Sequence, residues 1–219
     1  EVFESLRCPL CKGEDLETNA DFVKCTSCGR TFRSTRNFID FLERTTERLR
    51  YDGLGKKYAE LYGKIERGEL GPSELCYGQT EHEEFEEFLS QMRLDGSSLK
   101  GLRILDAGCG TGRLAAELAD KGATSVALDI HDKMEEYSRQ MQNRLRSPFF
   151  VRASVENTPF RDESFDIVWC QGVLSYVDDP ISAIRELKRV TSRSGLMYLW
   201  MYMLCRSDGR GECTSLLGC

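Results

Sequence analysis

The stretch "LDAGCGTGRLAAEL", residues 105–118, decides the fold. Gly108, Gly110 and Gly112 occupy alternate positions, directly after an apolar run and directly before residues at helical spacing. Strand, glycine turn and helix in that order form the unit that binds nucleotide-like cofactors at the carboxyl ends of parallel strands. Glycine turns tightly and lets a ligand lie against backbone with no Cβ between them. The spacing is GxGxG. A dinucleotide fingerprint asks for a third glycine where Arg113 stands, and a P-loop asks for a GK[ST] that this loop lacks. The plain alternative is a turn that only closes strand onto helix. Asp129 argues against it. It ends the next apolar run, "SVALDI", where an acid can accept hydrogen bonds from two ribose hydroxyls.

Outward from the loop, apolar runs and helical patterns alternate. "SVALDI", "FFVRA", "SFDIVWCQ" and "LMYLWMY" read as strands. "RLAAELADKG" closed by Gly122, "DKMEEYSRQMQNRL" and residues 181–190 read as helices. Such alternation implies crossovers and a parallel sheet. Toward the N-terminus, residues 46–100 are rich in charge and helix formers. Leu49, Tyr58, Leu61, Tyr62 and Ile65 recur at helical spacing, Gly71 and Pro72 break the pattern, and Phe85, Phe88, Leu89 and Met92 share one face of a second helix. Residues 1–45 read as short strands around cysteine pairs.

The chain has 219 residues, enough for one medium α/β domain and a small module. A formal charge of −6 argues against broad electrostatic binding to nucleic acid or an anionic membrane. No apolar run approaches the roughly 20 residues of a membrane span, and "EVFESLRCPLC" has no signal-peptide pattern. Of ten cysteines, four form two tight pairs and the rest are scattered, which points to a reduced, cytoplasmic chain rather than a disulfide scaffold.

Residues 101–203 resemble the class I S-adenosylmethionine-dependent methyltransferases, nearest to the ubiquinone/menaquinone type. The likeness rests on "LDAGCGTGRLAAELA" and on "DESFDIVWCQGVLSYVDDPISAIRELKRVTSRSG". It implies a Rossmann-like, doubly wound, mostly parallel sheet and methyl transfer from S-adenosylmethionine. In that family the glycine backbone approaches the methionyl and ribose portions, and the Asp106 position orients the amino acid end. The implied cofactor-binding set is Asp106, Gly108, Gly110, Gly112, Asp129, Ile130, Ser154, Val155 and Gln171. Two departures stand out. Ser154 replaces an aspartate that often meets the adenine amino group, and Val155 still offers its backbone N–H. Tyr176, in "VLSYVDDP", replaces a histidine. The catalytic candidates are Tyr176 and the two histidines, His82 and His131, although a histidine in a charged segment is ordinarily just solvated.

Cys8-Pro-Leu-Cys11 and Cys25-Thr-Ser-Cys28 are CxxC knuckles separated by thirteen residues, the pattern of a small hairpin holding one tetrahedral zinc. A four-sulfur shell leaves no open position, so such an ion is structural. Residues 8–42 also resemble the zinc ribbon of the tRNA-methyltransferase activator family. Cys76, Cys109, Cys170, Cys205, Cys213 and Cys219 show no ligand spacing.

The sequence therefore predicts three parts: a zinc ribbon over 1–45, a helical linker and substrate lid over 46–100, and a cofactor domain over 101–219. The expected acceptor is a small molecule. One rival is an RNA methyltransferase, for which Arg30, Arg33 and Arg36 would supply a basic strip; another is a non-catalytic cofactor-binding or scaffold module. Only 16 residues follow Met203. A further helix and two strands need at least ~22 residues. The sheet is thus expected to have about five parallel strands without the family's C-terminal strand hairpin, leaving residues 196–203 on an edge open to self-association.

Overall fold

A computed structural model of the chain describes residues 2–42, 60, 64, 67–69 and 81–201, the side chains of Glu81 and His82 excepted. A short 3-10 turn, Phe3–Ser5, leads into four strands: β1 (Leu16–Thr18), β2 (Phe22–Cys25), β3 (Thr31–Thr35) and β4 (Phe38–Asp40). Helix α1 (Glu81–Met92) precedes the alternating part. There follow β5 (Arg103–Ala107), α2 (Arg113–Asp120), β6 (Thr124–Asp129), α3 (Met134–Met141), β7 (Phe149–Arg152), β8 (Phe165–Gln171), α4 (Pro180–Val190) and β9 (Thr191–Trp200). Among the described residues, no helix is long and apolar enough to cross a membrane.

The nine strands among the described residues form one sheet, in the order β1-β2-β3-β4-β7-β6-β5-β8-β9. The ribbon strands β1 to β4 form an antiparallel meander. The last of them runs parallel to β7, with Phe38, Ile39 and Asp40 opposite Phe150, Val151 and Arg152. Five parallel strands come from the alternating part, as its pattern predicts, and β4 adds a sixth. The cysteine-bearing hairpin is thus an extension of the main sheet. Its apolar side chains Leu6, Val23, Phe32, Ile39 and Phe41 belong to the same buried cluster as Leu105, Val126, Val151 and Val168.

The sheet is covered on both faces. One carries α4 (Ala183, Leu187, Val190) and the hairpin's apolar residues. The other carries α1 and α2 over Ile104, Ile167 and Trp169, and α3 over Phe38 and Phe150. The helical face read from sequence on α1 is the face that packs: Phe85, Phe88 and Met92 are buried, and Phe88 meets Trp169 edge-on at 5.3 Å. Helix α4 starts where Pro180 presets its first turn, with Asp179 accepting from the Ile181 and Ser182 amides.

Two boundaries differ from the sequence pattern. Helix α3 ends at Met141, short of the residue 145 that its charge pattern reaches. Strand β9 begins at Thr191, five residues earlier than its apolar run, because the ladder to β8 starts at Phe165 with an irregularity before Ile167. Gly195 lies there, and a Cβ on it would stand 2.8 Å from the Asp166 carbonyl. Among the described residues β9 is an edge strand, with Leu196 48% exposed. Most of the expected lid, Cys76, Cys205, Cys213 and Cys219, and everything after residue 201 lie outside the described residues.

Candidate functional site

Strands β7, β6, β5 and β8 are neighbours in the sheet, and at or just beyond their carboxyl ends stand Ser154 and Val155, Asp129 and Ile130, Asp106 with the glycine turn, and Gln171. After Ala107 the chain turns through Gly108, Gly110 and Gly112, all left-handed, at φ 89, 57 and 81°. Two of these glycines answer to the protein itself. A Cβ at Gly108 would fall 1.9 Å from Val173 Cγ2, and one at Gly112 would fall 2.7 Å from the Phe150 ring. The turn is fixed by its neighbours: the Gly108 amide donates to the Leu128 carbonyl at 2.7 Å, and the Gly110 amide to Asp129 Oδ2 at 2.9 Å. The His131 amide donates to Asp129 Oδ1 at 3.0 Å. Asp129 is pinned through both oxygens, each of which keeps a lone pair for a further donor.

Asp106 is only 4% exposed, and its Oδ2 has no hydrogen-bond partner. Burial, then the carboxylates of Glu84 and Asp129, hold its carboxyl well above the usual range; the Ala115 amide and Arg113 offset this only in part. Burial likewise raises Asp129 against the amides that favour its charged form. Helix α1 supplies what sequence reasoning did not find. Its Glu84 pairs with Arg113 at 3.3 Å, and its Glu87 accepts from Gln171 Nε2 at 3.3 Å. Their only signal in the sequence is a position one residue before a member of the apolar stripe, Phe85 and Phe88. The result is a cluster of carboxylates around buried Asp106, whose mutual repulsion a cationic ligand would relieve.

The remaining candidates divide. Ile130 lies beside Asp129, and its carbonyl accepts from Arg152 Nε at 3.1 Å. Ser154 Oγ accepts from the Glu156 amide at 3.1 Å, capping its own turn, and Val155 is buried next to it. Tyr176 is half exposed on the loop after β8. His131 is enclosed; its Nδ1 accepts from the Lys133 amide at 3.1 Å, and burial lowers its pKa. His82 lies on α1, with its side chain outside the described residues. Cys170 is buried and Cys109 only partly so.

The second cluster is at the hairpin. The sulfurs of Cys8, Cys11, Cys25 and Cys28 lie within 4.8 Å of one another. Across the knuckles, Cys8 and Cys28 are 3.7 Å apart and Cys11 and Cys25 are 3.5 Å apart. The two turns repeat one hydrogen-bond scheme. The Cys8 amide donates to Gly13 and the Lys12 amide to Cys8; the Cys25 amide donates to Arg30 and the Gly29 amide to Cys25. Lys12 and Gly29 hold the equivalent left-handed position, at φ 64 and 74°. Of the arginine strip, Arg33 pairs with Glu135 of α3.

Residues 105–199 match the family described as a methyltransferase domain. Over 94 residues the chain is 36% identical to a malonyl-[acyl-carrier protein] O-methyltransferase of Erwinia pyrifoliae, covering 43% of this chain and 35% of that one. Over 117 residues it is 31% identical to a ubiquinone biosynthesis O-methyltransferase of Xanthomonas oryzae, covering 51% and 49%. The chain therefore spans less than half the length of either relative. Among solved structures, the YcgJ protein of Bacillus subtilis aligns with a TM-score of 0.48 at 25% identity, covering 54% of this chain and 50% of that one.

Proposed function

We propose that the chain binds S-adenosylmethionine at the carboxyl ends of β5 and β6 and transfers its methyl group to a small-molecule acceptor. The observation that carries this reading is the Asp106–Asp129 pair. One carboxylate is buried with an oxygen awaiting a donor, and the other is pinned beside the glycine turn with lone pairs to spare. When bound, the cofactor supplies a methyl group on a cationic sulfur, open to in-line displacement by a nucleophile. Asp106, with Glu84 nearby, would hold the ammonium of the amino acid end. Asp129 would accept from the ribose hydroxyls, and the glycine turn would let that ligand lie close. Ser154, its oxygen engaged by Glu156, leaves the adenine to the backbone around Val155. Displacement needs chiefly alignment, so a dedicated base is not required of this site. Tyr176 stands where it can wall the acceptor side. Both relatives are O-methyltransferases by name, which supports an oxygen nucleophile, and the pairing of Arg33 supports a small acceptor over RNA.

Titration calorimetry tests the reading. The unchanged protein should bind S-adenosylmethionine, and Asp129→Ala should bind it more weakly by about 1.5–3 kcal/mol, since hydrogen bonds to a charged acceptor are lost. Unaltered affinity in Asp129→Ala would remove Asp129 from the site.

The hairpin supports a second reading, one structural zinc on Cys8, Cys11, Cys25 and Cys28. Four ligands at 2.3 Å in a tetrahedron place sulfurs about 3.8 Å apart, close to the spacing across the knuckles. Elemental analysis of reduced protein should find one zinc per chain.

A further inference from the structure

We propose that Arg152 is a positioning residue for the ribose corner of the cofactor pocket, held in place by Asp40 of the cysteine-bearing hairpin. The inference rests on the cofactor reading above. Asp40, Arg152 and Asp129 stand side by side on one row of the sheet, on β4, β7 and β6. Paired residues of neighbouring strands project to the same face. Arg152 is 3% exposed, so its charge has left water and needs partners. Its Nη1 lies 3.4 Å from Asp40 Oδ2, and its Nε donates to the Ile130 carbonyl at 3.1 Å.

Those two contacts face opposite ways along the row. The Ile130 carbonyl and the His131 N–H belong to one peptide, so the Arg152 Nε bond fixes the peptide whose N–H donates to Asp129 Oδ1. Asp40 is held in its turn: its Oδ1 accepts from the Leu42 amide at 3.0 Å, and the Phe41 amide donates to the Arg152 carbonyl at 2.9 Å. The guanidinium is thus fixed from the hairpin side and acts on the pocket side. A rigid planar fork is suited to this, because it serves a carboxylate and a carbonyl at once; an ammonium is a single point of charge.

The test is calorimetric binding of S-adenosylmethionine to the folded full chain, with Asp40→Asn, Arg152→Lys and each of them combined with Asp129→Ala. Both single variants should bind about 3- to 30-fold more weakly, and their effect should shrink to within about twofold once Asp129 is already alanine. Arg152→Lys keeps the charge and serves as the readout should Asp40→Asn fail to fold. Amide exchange at Gly110 and His131 in either variant should speed up if the Asp129 turn loosens. Wild-type affinity and wild-type exchange in a folded variant would overturn the proposal and leave the cofactor reading standing. Equal weakening with and without Asp129 would also overturn it. An unchanged protein that binds no S-adenosylmethionine would overturn the cofactor reading and this proposal together.

Discussion

Two carboxylates, buried Asp106 near the carboxyl end of β5 and partly buried Glu186 at the joint between hairpin and domain, meet opposite fates. Burial pushes both upward. At Glu186 it is outweighed by the Arg189 guanidinium, the Thr158 hydroxyl and Arg7, which hold the carboxyl below its usual range. Arg189 reaches Glu186 at 2.6 Å and Asp162 at 2.7 Å, and Arg7 lies 3.8 Å from Glu186. The chain on either side is knitted by backbone bonds: the Arg7 amide donates to Pro159, and the Arg161 amide to Ser5. At Asp106 burial is reinforced by like charges, and one oxygen is left without a donor. A joint settles its charges within the chain. The joint is not perfect, since Arg7 Nε is buried there without a hydrogen-bond partner, but its carboxylate is settled; on the proposed reading Asp106 stays unsettled because its partner is the ligand.

The largest expected effect tests whether the joint is one body with the domain. If zinc holds the hairpin, a chelator removes a ligand that binds only the folded form, and structural zinc contributes on the order of 10 kcal/mol in small modules. An isolated ribbon would unfold alone. Leu6, Ile39 and Phe41 share the core of β5 to β8, and β4 is paired to β7. Chelation should therefore lower the melting of the whole sheet, seen as a single shifted transition by circular dichroism. Two transitions, the larger unmoved, would show that the hairpin is a separate unit.

Next in size is Glu186→Gln. It leaves Arg7 and Arg189 short of a partly buried counter-charge and should cost about 1.5–3 kcal/mol of stability, the range for hydrogen bonds to a charged group. The pH dependence has a definite sign. Glu186 binds its proton less readily when folded, so its contribution is fully present above its unfolded pKa of about 4.3. That contribution fades as pH falls through the lower, folded value. The wild-type melting temperature should drop on acidification below about pH 4.3 more steeply than that of Glu186→Gln. Parallel curves would mean that Asp162 alone compensates the two arginines.

The sheet from residue 103 onward was legible because each strand announces itself as an apolar run between helical patterns, and Asp129 is marked by its place at the end of one. The pairing of β4 with β7 was not. Three residues, Phe38–Asp40, carry no sign of which strand they join more than a hundred residues later; that depends on an edge left open by β7. Nor was the part played by α1. Period 3.6 identifies Phe85, Phe88 and Met92 as a buried face, but it does not say that the face lies over Trp169 and so brings Glu84 beside Asp106. Burial also reverses the reading of His131. In the sequence it sits among charges, where a histidine is ordinarily solvated, and in the fold it is enclosed and spends Nδ1 on Lys133.

The smallest effect on stability is the most telling for the comparison, because it has the opposite sign. Asp106→Asn removes a charge that folding buries among other acids. Asp106 binds its proton more readily when folded, so at neutral pH its ionisation works against the folded state, and stability falls as pH rises between the unfolded and folded values. The asparagine variant should therefore melt higher than the unchanged protein, by about 2–4 °C for a gain near 1 kcal/mol in a domain of this size. It should also bind S-adenosylmethionine more weakly, as expected where a site trades stability for function. The same charge gives wild-type binding a pH dependence. A cation favours the deprotonated carboxylate, so binding releases a proton and affinity should rise with pH until Asp106 is ionised in the free protein. Asp106→Asn should flatten that rise. Calorimetry in two buffers of different ionisation enthalpy counts the released proton directly. A variant that melts lower, with wild-type proton release, would place Asp106 among the settled charges of the fold rather than in the site.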